Sequence, residues 1–140
     1  YPEFFADEGE QSFVYSILPH KGDWRKETVQ NAIALNTPLI GTPVLTSEGG
    51  AELPRSFIEI TPGNVIVGAF KKAEEDNALV IRLYEAYGCR GRVKIRFGFD
   101  VKKVVETNLL EDELNPVKLE SNEIEVFFKP YEIKTIKVSV

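Results

Sequence analysis

Between positions 92 and 99 the chain reads Arg-Val-Lys-Ile-Arg-Phe-Gly-Phe, with an apolar residue at every second position and a cation or glycine between. Successive side chains of a strand point to opposite faces, so an extended segment gathers Val93, Ile95, Phe97 and Phe99 on one surface and leaves Lys94 and Arg96 on the other. A slip of one residue would turn the whole apolar set to water. The four apolar side chains are therefore expected to be buried together, with Lys94 and Arg96 outside.

Comparable segments recur at 39–45, 56–60, 64–70, 79–85, 101–107, 124–128 and 131–140, parted by turn-forming residues such as Pro62-Gly63-Asn64. Short strands at this spacing predict an all-β fold, an antiparallel β-sandwich of the immunoglobulin-like kind. In 131–140 the residues Tyr131 and Ile133 share one parity while Ile136, Val138 and Val140 share the other. A β-bulge near Lys134-Thr135 would restore a single inward face. Residues 11–18 also read as a strand, with Phe13, Tyr15 and Ile17 alternating against Val14, Ser16 and Leu18. Both of its faces are largely apolar, which predicts cover on both sides.

One short helix is expected near the N-terminus. Asp23 can serve as its N-cap, Trp24, Thr28, Ala32 and Leu35 fall near helical spacing, Val29 and Ile33 widen the stripe, and Asn36 with Pro38 provides a stop. The Gly/Pro-rich residues 46–54 read as a linker or long loop.

The 140 residues, 43% of them hydrophobic, suffice for one domain-sized core. The net charge of −5, with 17 basic side chains interleaved among acids, argues against a nucleic-acid footprint, which needs clustered Lys and Arg. No apolar run approaches the ~20 residues that span a bilayer, so no membrane partner is expected. Cys89 is the sole cysteine, which rules out an intrachain disulfide and favours a cytoplasmic setting. With no methionine and a start on Tyr1-Pro2, the chain is expected to be a fragment or a processed product.

A zinc site needs three or four ligands within bonding reach, and His20 with Cys89 is the whole His/Cys supply. The densest acidic runs are Asp7, Glu8 and Glu10, and Glu111, Asp112 and Glu113. Neither matches a calcium-binding loop, and each reads as a solvated turn. Nothing around His20 resembles a nucleophile elbow, so it is expected to bond locally or to reach a partner from its loop. Cys89, between Gly88 and Gly91, has a turn role without catalytic context. Trp24, Tyr84, Tyr87 and Tyr131 can stack on sugar rings, although aromatic residues of β-proteins are more often packing residues. No catalytic residue and no metal ligand are assigned, and the substrate-binding residues are unknown.

Several segments, in order along the chain, resemble the end of glycoside hydrolase family 38 α-mannosidases. Residues 6–24, Ala-Asp-Glu-Gly-Glu-Gln-Ser-Phe-Val-Tyr-Ser-Ile-Leu-Pro-His-Lys-Gly-Asp-Trp, are similar to a family segment through Asp7, Gly9, Phe13, Tyr15, Pro19, His20 and Gly22. Gln11 stands where family members commonly have histidine. Leu35-Asn36 with Pro38-Leu39 also fits, as do Arg82 with Tyr84-Glu85, Asn108-Leu109-Leu110-Glu111, and the closing Lys129-Pro130-Tyr131-Glu132-Ile133-Lys134-Thr135. Tyr131 replaces the usual phenylalanine.

The resemblance implies retaining hydrolysis of α-mannosides by an N-terminal catalytic domain of the same polypeptide, which holds a zinc ion and an aspartate nucleophile. It implies no cofactor in this chain. Residues 1–47 would be the end of a preceding β-sandwich plus the helix, and residues 55–140 a terminal small sandwich. The expected role is a non-catalytic structural and interdomain domain. The alternative is an independent carbohydrate-binding module.

Overall fold

The computed structural model describes residues 8–43 and 56–140. The chain divides into two compact units, Tyr1–Gly41 and Thr42–Val140.

The first unit holds one helix, α1 (Thr28–Asn36). It starts later than the sequence predicts. The Asp23 carboxylate accepts from the Arg25 amide at 2.9 Å and closes a local turn, while the N-cap position falls to Glu27, which makes no side-chain cap bond. A short Asp side chain bonds the backbone two residues on as readily as it caps a helix. Trp24 therefore lies in the turn before α1, with the Arg25 guanidinium 5.0 Å over its ring.

Residues 11–18 correct the expectation of a strand: they form no ladder, and Phe13 is 80% exposed, with Val14, Tyr15 and Ile17 similarly open. Strand geometry persists only when backbone N–H and C=O groups find a neighbouring strand, and the described residues of this unit contain none. The same holds for residues 39–43, where Leu39 and Ile40 are exposed. Positions 44 and 45 and the expected linker at 46–54 lie outside the described residues. No described residue of the first unit is buried.

In the second unit nine strands are described: β1 (Ile58–Thr61), β2 (Val65–Lys72), β3 (Leu79–Glu85), β4 (Gly91–Phe97), β5 (Lys103–Thr107), β6 (Glu113–Val117), β7 (Leu119–Glu120), β8 (Glu123–Phe128) and β9 (Ile133–Ser139). They form two antiparallel sheets, a four-stranded one in the order β1-β4-β8-β7 and a five-stranded one in the order β2-β3-β9-β5-β6. Val93, Ile95, Phe97, Ile124, Val126 and Phe128 from the first share a core with Ile81, Leu83, Val104, Ile136 and Val138 from the second. This is a β-sandwich.

The register of β4 is the one its alternation demands. Val93, Ile95 and Phe97 are buried, and Lys94 and Arg96 are exposed. Phe99 lies beyond the strand end and is half-buried, its ring centroid 5.7 Å from that of Phe97. The turn between them requires Gly98, whose amide donates to the Phe57 carbonyl at 3.0 Å. A Cβ there would come within 2.0 Å of the Ser56 carbonyl oxygen. Gly98→Ala should displace the start of β1 and cost about 1–3 kcal/mol, as overpacking of a tight site does, read as a lower denaturant midpoint.

Two further expectations are corrected. β9 runs in unbroken register against both β3 and β5, with no bulge at Lys134-Thr135. It is an inner strand, so a bulge would disturb two ladders at once. The parity change is kept instead: Ile136 and Val138 face the core, while Ile133 points outward and is 58% exposed. The bulges fall on β2, between Val67 and Ala69, and at the end of β5. Strands β6 and β7 were not expected, because Asn115-Pro116 in one and the two-residue length of the other hide the period-2 signal. Proline is tolerated in β6 since that strand is an edge.

Candidate functional site

One end of the second unit is organised by a buried carboxylate. In β3 the parity that turns Ile81 and Leu83 inward also turns Glu85 inward, and Glu85 is 1% exposed. Its Oε1 accepts from Asn64 Nδ2 at 3.0 Å and the Tyr87 amide at 2.9 Å, and its Oε2 from the Gly88 amide at 2.8 Å and the Tyr131 amide at 3.0 Å. Burial pushes the carboxyl upward, but the bonds from Tyr131, Asn64, Tyr87 and the neighbouring turn outweigh it and hold it down at about 2. Glu85 is thus ionised across the ordinary pH range and joins three segments far apart in sequence. Tyr131 pays for its place with a positive φ of 58°, and its ring packs on Gly88. The ring is otherwise open to solvent.

The outer surfaces of the two sheets both carry ion pairs but differ in where apolar side chains line up. Across the four-stranded sheet, Arg92 pairs with Glu125 at 2.6 Å, Lys94 with Glu123 at 3.4 Å, and Arg96 with Glu59. That is a solvated ion ladder. On the five-stranded sheet, Ile66, Tyr84 and Ile133 lie side by side across β2, β3 and β9. Gly68 leaves room for the Tyr84 ring, which a Cβ would meet at 3.4 Å. The result is an apolar row at one end of an outer face.

Of the residues singled out from sequence, Tyr87, Cys89 and Tyr131 meet around Glu85 in the second unit. His20 Nε2 lies 3.2 Å from Thr28 Oγ1 in the first unit, beside an open groove of about 500 Å³ lined by Leu18, Ala32 and Leu35. Cys89 is exposed, its Sγ 3.9 Å from the Tyr87 carbonyl. Glu111 pairs with Lys71, Asp112 accepts from Asn108, and Glu113 pairs with Lys103, so the second acidic run is split three ways. Glu8 and Glu10 are exposed, and Asp7 lies outside the described residues. Among the described residues no three His, Cys, Asp or Glu side chains gather as a metal site, so zinc's donor set is not found there. Lys134 faces a cleft of about 440 Å³ between the sheets, where Glu106 at 2.5 Å answers its charge.

Sequence reasoning missed Glu85 as an organising group. The signal was present in the inward parity of a carboxylate just ahead of Tyr87-Gly88. The outward apolar row carried no such signal, because it assembles from three strands.

The fold is an antiparallel β-sandwich of a four-stranded and a five-stranded sheet. Residues 64–136, just over half the chain, match the family described as glycosyl hydrolases family 38 C-terminal beta sandwich domain, and the chain belongs to that family. It is 30% identical over 141 residues to alpha-mannosidase 2C1 of Homo sapiens, covering 96% of this chain. It is 28% identical over 143 residues to alpha-mannosidase G of Dictyostelium discoideum, covering 97%. The chain spans about 13% of the length of these curated relatives.

Proposed function

We propose that this chain is a non-catalytic structural and interdomain part of an α-mannosidase, and that hydrolysis of α-mannosides and the zinc it uses belong to another domain of the same polypeptide. The observation that carries this reading is a family match confined to a C-terminal sandwich, within relatives about seven times longer. The exposed apolar side chains of the first unit support it. Phe13, Tyr15, Ile17 and Leu39 would not be left in water by a self-sufficient unit. They suit residues 1–47 as the end of a preceding β-sandwich, with the turn from Pro19 to Trp24 on the contact surface.

The isolated chain is expected neither to hydrolyse an aryl α-mannoside nor to retain zinc after dialysis, whereas the product of the complete reading frame should do both. A retaining mechanism needs a positioned nucleophile and acid, and carboxylates alone suit calcium or magnesium better than zinc. Kinetics beside elemental analysis reads both halves. Turnover that survives repurification and disappears with one carboxylate would overturn the reading.

A second reading, an independent carbohydrate-binding module, is favoured by the solvent-facing Tyr131 ring on its rigid turn. Titration with mannose oligosaccharides, comparing the native chain with Tyr131→Ala, separates the two.

A further inference from the structure

The loop after β5 is held in place more firmly than its exposure alone requires. Asn108 Oδ1 accepts from the Leu110 amide at 2.9 Å and the Asp112 amide at 3.0 Å, and Asn108 Nδ2 donates to Asp112 Oδ2 at 2.8 Å. The Glu111 carboxylate reaches back to Lys71 at 2.8 Å and accepts from the Glu74 amide at 2.9 Å. Arg82 Nη2 donates to the Leu109 carbonyl at 3.3 Å. Glu111 carries a positive φ of 73°, a conformation that a non-glycine side chain adopts at a cost.

The polar side chains of the loop thus turn back on the sandwich, and two leucines are what it presents. Leu109 is 63% exposed and Leu110 is 83% exposed. Apolar side chains fixed in water by a strained, multiply bonded loop gain nothing by themselves. They are, however, ordered in advance, which lowers the entropy cost of entering a pocket. Arg82, whose Nη2 holds the Leu109 carbonyl, lies two positions from Tyr84 on β3 and shares its outward parity, so the loop is tied to the same outer face as the row Ile66, Tyr84 and Ile133.

We propose that Leu109 and Leu110 form a preset anchor that seats in an apolar pocket of another domain of the same polypeptide, with the row Ile66, Tyr84 and Ile133 packed against that domain. This rests on the interdomain reading above. The occupant follows from two observations. Relatives of this chain carry most of their length outside the part it matches, and the opposite outer face is mostly an ion ladder, with Phe127 half-exposed at its end.

Hydrogen exchange in the complete polypeptide, set beside that of the 140-residue chain, tests the proposal. The amides of residues 109–112 should exchange roughly tenfold or more slowly in the complete polypeptide. The double variant Leu109→Ser with Leu110→Ser should abolish that difference. The same variant in the isolated chain should leave its unfolding midpoint unchanged, since neither leucine is buried there. If residues 109–112 exchange alike in both forms while the ion-ladder face is the protected one, the anchor is wrong and the interdomain reading stands. If no part of residues 56–140 gains protection, both fall. Protection that grows with concentration in the isolated chain would mean that a second copy fills the role, which also overturns the proposal.

Discussion

Glu85→Ala is expected to lower the stability of the sandwich by about 3–5 kcal/mol, because each buried donor left without its acceptor costs about 1–3 kcal/mol and partial relaxation recovers some of the sum. Four donors lose their acceptor together: Asn64 Nδ2 and the amides of Tyr87, Gly88 and Tyr131. Two of these belong to the turn after β3, and Tyr131 belongs to the turn before β9, so both turns should loosen. The positive φ of Tyr131 would then have nothing to hold it.

Glu85→Gln supplies the sharper control, since an amide nitrogen would be placed against donors while volume is kept. The carboxyl titrates near 2 in the folded chain against about 4.3 in an unfolded one, so the folded pKa is depressed. Its contribution is then complete above about pH 5 and is lost as pH falls through 4 towards 2, an effect of about 3 kcal/mol. Denaturant midpoints measured from pH 7 to pH 2 should therefore show the native chain and Glu85→Gln converging on acidification. A gap that stays constant would mean that the carboxylate charge contributes nothing.

The legible part of this fold is the part whose burial comes from its near neighbours. The alternation in β4 named its core side chains because the opposing sheet belongs to the same unit. Residues 11–18 carry an equally clear pattern, yet they form no strand, since a pattern states what cover a segment needs and not whether the chain supplies it. Ile133 misled for the opposite reason. By itself its parity reads as a fault to be mended by a bulge, whereas an outward apolar residue there belongs to the outer row. Glu85 could be read as inward from Ile81 and Leu83, but its partner Tyr131 lies 46 positions away and no local rule links them. In the loop after β5 the letters Asn-Leu-Leu-Glu were visible, whereas the direction in which the leucines point depends on Lys71, Glu74 and Arg82 from β2, β3 and the turn between them.

Phe97→Ala should cost about 3–5 kcal/mol, the range for truncating a buried aromatic side chain to a methyl group. Phe97 is buried within a core that includes Ile95, Ile124 and Phe128, and its ring also supports the half-buried Phe99. The loss is in packing, because the Phe97 amide keeps its bond to the Asn122 carbonyl at 2.9 Å whatever the side chain. Pairing with Ile58 of β1 places the cavity under an edge strand of only four residues, where collapse is easier than in the centre of the sheet. The central position Ile95 gives the comparison: Ile95→Ala, flanked by β1 and β8, has less freedom to relax and should fall at the upper end of the 2–5 kcal/mol expected for an aliphatic truncation. Both are read from chemical denaturation of the isolated chain with the slope held in view, since an altered slope would mean that the sandwich no longer unfolds as one unit. If Phe97→Ala costs under about 1 kcal/mol, the two sheets are not packed through this face, and the inward register of β4 is wrong.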